Sequence, residues 1–141
     1  MKIVLDTNVL VSGLLQPLGP SAQIVRLVAA EELALCYDPR ILAEYGEVLL
    51  RERFRFDPER VMTLMEQIRA GGVTVAARPF AIRLPDPDDE PFLEVALAGR
   101  VRCLVTGNLR HYPAEARHGV EVLAPRPFID LYRAEMAEST E

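Results

Sequence analysis

Hydrophobic residues along the chain alternate between two patterns. Short apolar runs occur at Ile3-Val4-Leu5, Leu33-Ala34-Leu35-Cys36-Tyr37, Val73-Thr74-Val75-Ala76, Val101-Arg102-Cys103-Leu104-Val105 and Val120-Glu121-Val122-Leu123. Runs of this length, rich in Val, Ile and Leu, read as buried strands. Between them the apolar positions recur at helical spacing. Residues 9–15 begin a helix that Gln16-Pro17-Leu18-Gly19-Pro20 breaks. A second helix runs from Ser21 to about Ala30, with Ile24, Val25, Leu27 and Val28 inward. A long helix runs from Pro39 to about Arg53. Asp57-Pro58 supplies a cap and first turn for the next, which carries Val61, Leu64, Met65 and Ile68 and stops at Gly71-Gly72. Residues 77–87 contain Pro79, Pro85 and Pro87 and read as a loop. A helix over roughly 89–99 and a last one over about 127–137 complete the order, with 138–141 as a polar tail.

Strands separated by helices predict a single α/β domain over residues 1–137, a three-layer α/β/α sandwich around a mainly parallel five-stranded sheet. There is no internal repeat, linker or low-complexity segment. In such sheets ligands bind beyond the carboxyl ends of the strands, so chemistry is sought there.

Four places meet that condition, and three carry acids. Asp6 directly follows the first strand, in Leu5-Asp6-Thr7-Asn8. Asp6 or Asn8 could equally cap the next helix. Glu44 lies on the long helix, whose apolar stripe is Ile41, Leu42, Tyr45, Val48 and Leu49. At 100° per residue Glu44 falls about 90° from the stripe centre, on its border, while Glu47 falls about 150° away, toward solvent. The third place is Asp86-Pro87-Asp88-Asp89-Glu90-Pro91. Acids favour a helix N-terminus, yet capping needs one acid. Two like charges about 4 Å apart repel by roughly 4 kcal/mol at an effective dielectric near 20, so such crowding suits a bound cation. The fourth place is Val105-Thr106-Gly107-Asn108, with neutral oxygens on Thr106 and Asn108 in what could be a simple strand-exit turn. Asp6, Glu44 and Asp89 would converge on one sheet edge. Oxygen donors suit Mg²⁺ or Mn²⁺, and the absence of His from the set argues against zinc.

Composition changes this picture little. The 141 residues suit one domain, and half of them are hydrophobic. The net charge of −5 does not mark a nucleic-acid binder, although acids gathered around a metal are neutralised by it. The sixteen basic residues are fifteen Arg and one Lys, and Arg suits phosphate. Cys36 and Cys103 lie in strand-like runs and read as buried, reduced thiols. No apolar run spans a membrane and no signal peptide precedes Asp6, so a cytoplasmic location is expected.

With these residues in view, the chain resembles the PIN-domain nucleases, and among them the toxin components of toxin–antitoxin pairs related to VapC toxins. The resemblance spans nearly the whole chain. It rests on Val4-Leu5-Asp6-Thr7-Asn8-Val9-Leu10, on Glu44, on Asp86-Pro87-Asp88-Asp89 with Phe92-Leu93 and Ala96, and on Val105-Thr106-Gly107. It implies that Asp6, Glu44 and Asp89 are acidic metal ligands, with Asp86 a further one, and that Thr7, Asn8, Thr106 and Asn108 support the site. It also implies a Mg²⁺- or Mn²⁺-assisted endoribonuclease that leaves a 5′-phosphate and a 3′-hydroxyl, a small antitoxin partner and a homodimer. Where the family often has a fourth acid this chain has Asn108, which puts two-metal chemistry in doubt. RNA would be held by Arg51, Arg53, Arg55 and Arg110, with His111 beside the last; each could equally be a solvated surface charge. Tyr112 could stack on a base or pack under the last turn. His118 is read as a surface residue.

A receiver-type phosphoacceptor domain shares the acids at strand ends but needs a Lys after the fifth strand. Residues 124–127 are Ala-Pro-Arg-Pro, and Lys2 is the sole Lys. A Rossmann dinucleotide enzyme needs a Gly-rich turn after the first strand, which is absent. A catalytically weak PIN-like module that binds RNA or protein is the alternative Asn108 keeps open.

Overall fold

The run Lys2–Leu5 forms β1, and its last three residues are wholly buried. An apolar segment with no solvated face belongs in the middle of a parallel sheet, and β1 is the central strand. The computed structural model describes residues 1–78 and 83–139. Its elements are α1 (Thr7–Leu15), α2 (Pro20–Ala29), β2 (Ala34–Tyr37), α3 (Pro39–Leu49), α4 (Pro58–Gly71), β3 (Val73–Thr74), α5 (Glu90–Gly99), β4 (Cys103–Val105), β5 (Val122–Leu123) and α6 (Pro125–Ser139). Single 3₁₀ turns occur at Glu52–Phe54, Pro87–Asp89, Leu109–His111 and Ala114–Ala116.

The sheet order is β3-β2-β1-β4-β5, and every pairing is parallel. The chain steps outward from β1 to β2 to β3, then returns across the sheet to β4. Right-handed crossovers place helices on opposite faces for opposite directions of travel. Accordingly α5 packs over β1, β2 and β4 and touches α3, while α1, α2, α4 and α6 pack against one another. This is the expected three-layer α/β/α sandwich. The amphipathic faces are also as expected: Val61, Leu64, Met65 and Ile68 of α4 are buried, as are Ile41, Tyr45 and Leu49 of α3. Asp57 caps α4 by accepting from the Glu59 amide at 3.0 Å. Cys36 and Cys103 are buried and unbridged. No helix among the described residues is long and apolar enough to cross a membrane.

Several boundaries differ from expectation: α1 starts at Thr7, β4 at Cys103, β5 at Val122 and α6 at Pro125. The long helix stops at Leu49 rather than near Arg53. The chain turns there through the 3₁₀ turn at Glu52–Phe54 and the left-handed Arg55 (φ 54°), which lets the Phe54 and Phe56 rings stack at 5.5 Å. Helix propensity in Arg51-Glu52-Arg53 thus yields to packing. β3 ends at Thr74, although the Val75 amide still bonds Tyr37 O at 2.8 Å. α6 continues to Ser139, two residues into the expected tail; residues 140–141 lie outside the described residues, as does Pro79 of the expected loop.

The α1–α2 contact depends on Gly13. A Cβ there would stand 2.6 Å from Val25 Cγ2 and 2.7 Å from Ser21 O. Because Ser21 O is backbone, it cannot swing aside. Gly13→Ala is therefore expected to cost about 1–3 kcal/mol by overpacking, read as a lower urea midpoint. An unchanged midpoint would show that the two helices are not held at this spacing.

Candidate functional site

Travel across the sheet reverses between β1 and β4, and the crevice at such a switch point is where open α/β sheets bind ligands. Leu5 and Val105 are paired across the two strands, so Asp6 and Thr106 emerge side by side. The Asp6 amide extends the ladder to Val105 O at 2.9 Å. Asp6 occupies the N-cap position of α1 but makes no side-chain capping bond. Its Oδ2 instead accepts from Thr106 Oγ1 at 2.9 Å and from the Tyr112 hydroxyl at 3.1 Å. Asp6 is only 4% exposed. Burial raises its pKa, and the Thr106 and Tyr112 hydrogen bonds oppose the rise.

Glu44 projects from α3 toward the same edge and is half-buried, whereas Glu47 is exposed and pairs with Arg51 at 3.0 Å. The Thr7 hydroxyl donates to the Glu44 carboxylate. Burial raises the Glu44 pKa, and the charges of Asp6 and Asp88 raise it further. Thr7 follows Asp6, so one strand exit serves two acids.

The third acid arrives through the 3₁₀ turn that precedes α5. Asp86 caps that turn, accepting from the Asp88 amide at 2.9 Å. Helix-end chemistry therefore does account for part of the acidic run. It does not account for Asp89, which is 8% exposed and makes no capping bond. Burial, then the charge of Asp6, lifts its pKa from the ordinary 3.8 to about 6, with His111 opposing and Asp86 adding to the rise. Asp89 Oδ2 lies 2.8 Å from His111 Nδ1 but takes part in no hydrogen bond of acceptable angle.

His111, expected outside the acidic set, stands beside two of its members. Asp86, Asp89 and His111 each present a donor atom, and these atoms lie within 4.8 Å of one another. The turn after β4 produces this arrangement. The Asn108 amide bonds Thr106 Oγ1 at 3.1 Å, the Gly107 amide bonds Asn8 Oδ1 at 2.9 Å, and the His111 amide bonds Asn108 O at 3.2 Å. The chain folds back on itself, carrying His111 and Tyr112 under the site. Tyr112 is wholly buried, so of its two expected places it takes the one packed inside rather than one open to a base. The sequence singled out both residues, but for RNA contact rather than for a place beside the acids. His118 is exposed, as expected.

The basic residues lie farther out. Arg51 is paired with Glu47, the Arg53 guanidinium sits 4.8 Å from the centre of the Phe54 ring, and Arg55 and Arg110 are exposed. A groove of about 310 Å³ links Thr7 and Asn8 to Arg53 and Phe54. Burial destabilises the charged forms of Asp6, Glu44 and Asp89, and the charge of Asp6 adds to the burden on the other two. Among the described residues, the acids and His that bring ligand atoms within 4.8 Å of one another are Asp86, Asp89 and His111, not Asp6 or Glu44. The orphaned Asp89 oxygen fits a divalent cation.

A family model described as PIN domain matches residues 2–110. An uncharacterized protein of Methanocaldococcus jannaschii is 27% identical over 111 residues, covering 77% of this chain and 71% of that protein. No solved structure matches.

The Asp89 environment has a measurable consequence without metal. A raised pKa means the folded state holds this proton more tightly than the unfolded state. That contribution is complete below the ordinary value of 3.8 and is lost as pH rises through about 6. In EDTA, Asp89→Asn is expected to flatten the fall of Tm across this window and to raise Tm at neutral pH by a few degrees. Identical pH profiles for wild type and variant would contradict the assigned environment.

Proposed function

The chain belongs to the PIN domain family, and on that premise we propose that it is a divalent-metal-dependent endoribonuclease, the toxin of a VapC-like toxin–antitoxin pair. The observation that carries the reading is the gathering of Asp6, Glu44 and Asp89 near the β1–β4 switch point, where burial disfavours each charge and Asp6 adds to the burden on the other two. In this reading Asp6, Glu44, Asp89 and Asp86 hold Mg²⁺ or Mn²⁺. Bound there, the ion would lower the pKa of a water and stabilise charge on the phosphorus oxygens.

The chain's own groups have distinct tasks. Thr106 and Tyr112 hold one Asp6 oxygen and thereby set the carboxylate plane. Thr7 orients Glu44, while Asn8 and Asn108 hold the loop that carries Thr106. Such outer contacts keep acidic ligands aimed when their charges would drive them apart. The groove from Thr7 to Arg53 suits a single strand, with Arg53 for a phosphate and Arg55, outside the groove's lining, for another. Arg110 would contact the strand on the other side. Arg51 is less available because Glu47 holds it. A small antitoxin partner, a homodimer and a cytoplasmic location belong to the same reading and rest on the resemblance to VapC toxins. The neutral Asn108 favours one alternative, a catalytically weak module that binds RNA without cutting it.

The test compares wild type with Asp6→Asn on total RNA with Mg²⁺ or Mn²⁺, sequencing the cut ends. Wild type is expected to cut in the presence of metal, to stop in EDTA, and to leave 5′-phosphates. Asp6→Asn should lose more than ~100-fold, beyond what outer-contact substitutions commonly cost, with an unchanged circular-dichroism spectrum. Undiminished cleavage by Asp6→Asn would sink the nuclease assignment. Metal-independent RNA retention without cleavage by wild type would favour the binding module.

A further inference from the structure

We infer that His111 is a nitrogen donor to this centre, acting with Asp86 and Asp89, so that the site takes Mn²⁺, Co²⁺ or Zn²⁺ in preference to Mg²⁺. The inference rests on the metal-dependent reading above and goes beyond it by assigning a ligand and a metal class.

Three observations support it. The donor atoms of Asp86, Asp89 and His111 lie within 4.8 Å of one another, so modest side-chain rotation brings all three onto one ion. Two ligands at right angles on a metal about 2.1 Å away are about 3 Å apart, and His111 Nδ1 and Asp89 Oδ2 already stand 2.8 Å apart. Asp89 Oδ2 is buried and, among the described residues, has no hydrogen bond of good geometry besides this close contact. The pair has the spacing of adjacent ligands on one ion.

Access and donor chemistry agree. The His111 side chain is 38% exposed, so an ion can enter from that side. Asp86 uses one oxygen for its cap on the Asp88 amide and keeps the other. Imidazole favours Zn²⁺, Fe²⁺ and other later divalent ions, whereas Mg²⁺ prefers oxygen and holds its waters. One nitrogen among carboxylates therefore shifts the preference toward transition metals while leaving Mg²⁺ the remaining oxygens.

The experiment is metal binding by calorimetry, with Mn²⁺, Co²⁺ and Mg²⁺ each added alone to wild type, His111→Ala and His111→Gln. Because the chain has two His, imidazole proton resonances can be followed as Co²⁺ is added, with His118→Gln assigning them. Wild type is expected to bind Co²⁺ and Mn²⁺ more tightly than Mg²⁺. His111→Ala should weaken Co²⁺ about tenfold or more and Mg²⁺ much less, and the His111 ring signal should show a large paramagnetic shift. Equal losses for both metals, or a His111 signal that does not shift while Co²⁺ binds, would overturn the assignment. A melting curve controls for folding, which substitution of this partly exposed side chain should not prevent. Cleavage by Asp6→Asn protein would defeat the nuclease reading and leave these binding results intact, so the two failures are separable.

Discussion

The parallel pairing of β1 with β4 is the constraint on which the site depends. It sets Leu5 against Val105, and the next residues, Asp6 and Thr106, then meet within hydrogen-bond distance. Everything after β4 follows from that contact. Thr106 accepts from the Asn108 amide, the loop turns back, and Tyr112 comes under Asp6 to supply a second donor. A shift of register by one residue would turn the strand-exit side chains to the opposite face and separate a hundred residues' worth of sequence that the sheet has joined.

Against that scaffold the electrostatics run uphill. Asp6, Glu44 and Asp89 are each pushed toward their neutral forms by burial, and the charge of Asp6 adds to the burden on the other two. The side-chain hydroxyls of Thr7, Thr106 and Tyr112 offset part of this strain, and His111 offsets part at Asp89. Such an arrangement would be stabilised by a cation of matching charge, and clustered shifts of this kind mark a candidate functional site.

The acidic run before α5 carries two kinds of demand at once. Asp86 satisfies an amide at the start of the turn, as a capping residue should. Asp89, three residues on, is rotated inward by the same turn and satisfies nothing local. The first role follows from short-range chemistry; the second exists because the turn sits beside β1 and the loop after β4. The same contrast separates Glu44 from Glu47, which differ in helix phase and so in whether they meet Thr7 or solvent.

Most of the architecture was legible in the residues themselves. Apolar runs of strand length, helical stripes and the Asp57-Pro58 signal locate all five strands and the main helices, because those patterns encode burial within a few residues. Helix phase was enough to prefer Glu44 over Glu47, and strand exits were enough to single out Asp6 and Thr106. What the chain alone could not reveal was set by contacts distant in sequence. The helix ends at Leu49, and the chain beyond it turns so that Phe54 and Phe56 stack. The burial of Tyr112 and the approach of His111 to Asp89 depend on how a loop closes over a neighbouring strand. Local periodicity determined which residues reach the sheet edge; the parallel pairing and the fold-back of residues 106–112 decided which of them touch, because side-chain geometry across a sheet is fixed only when the strands have met.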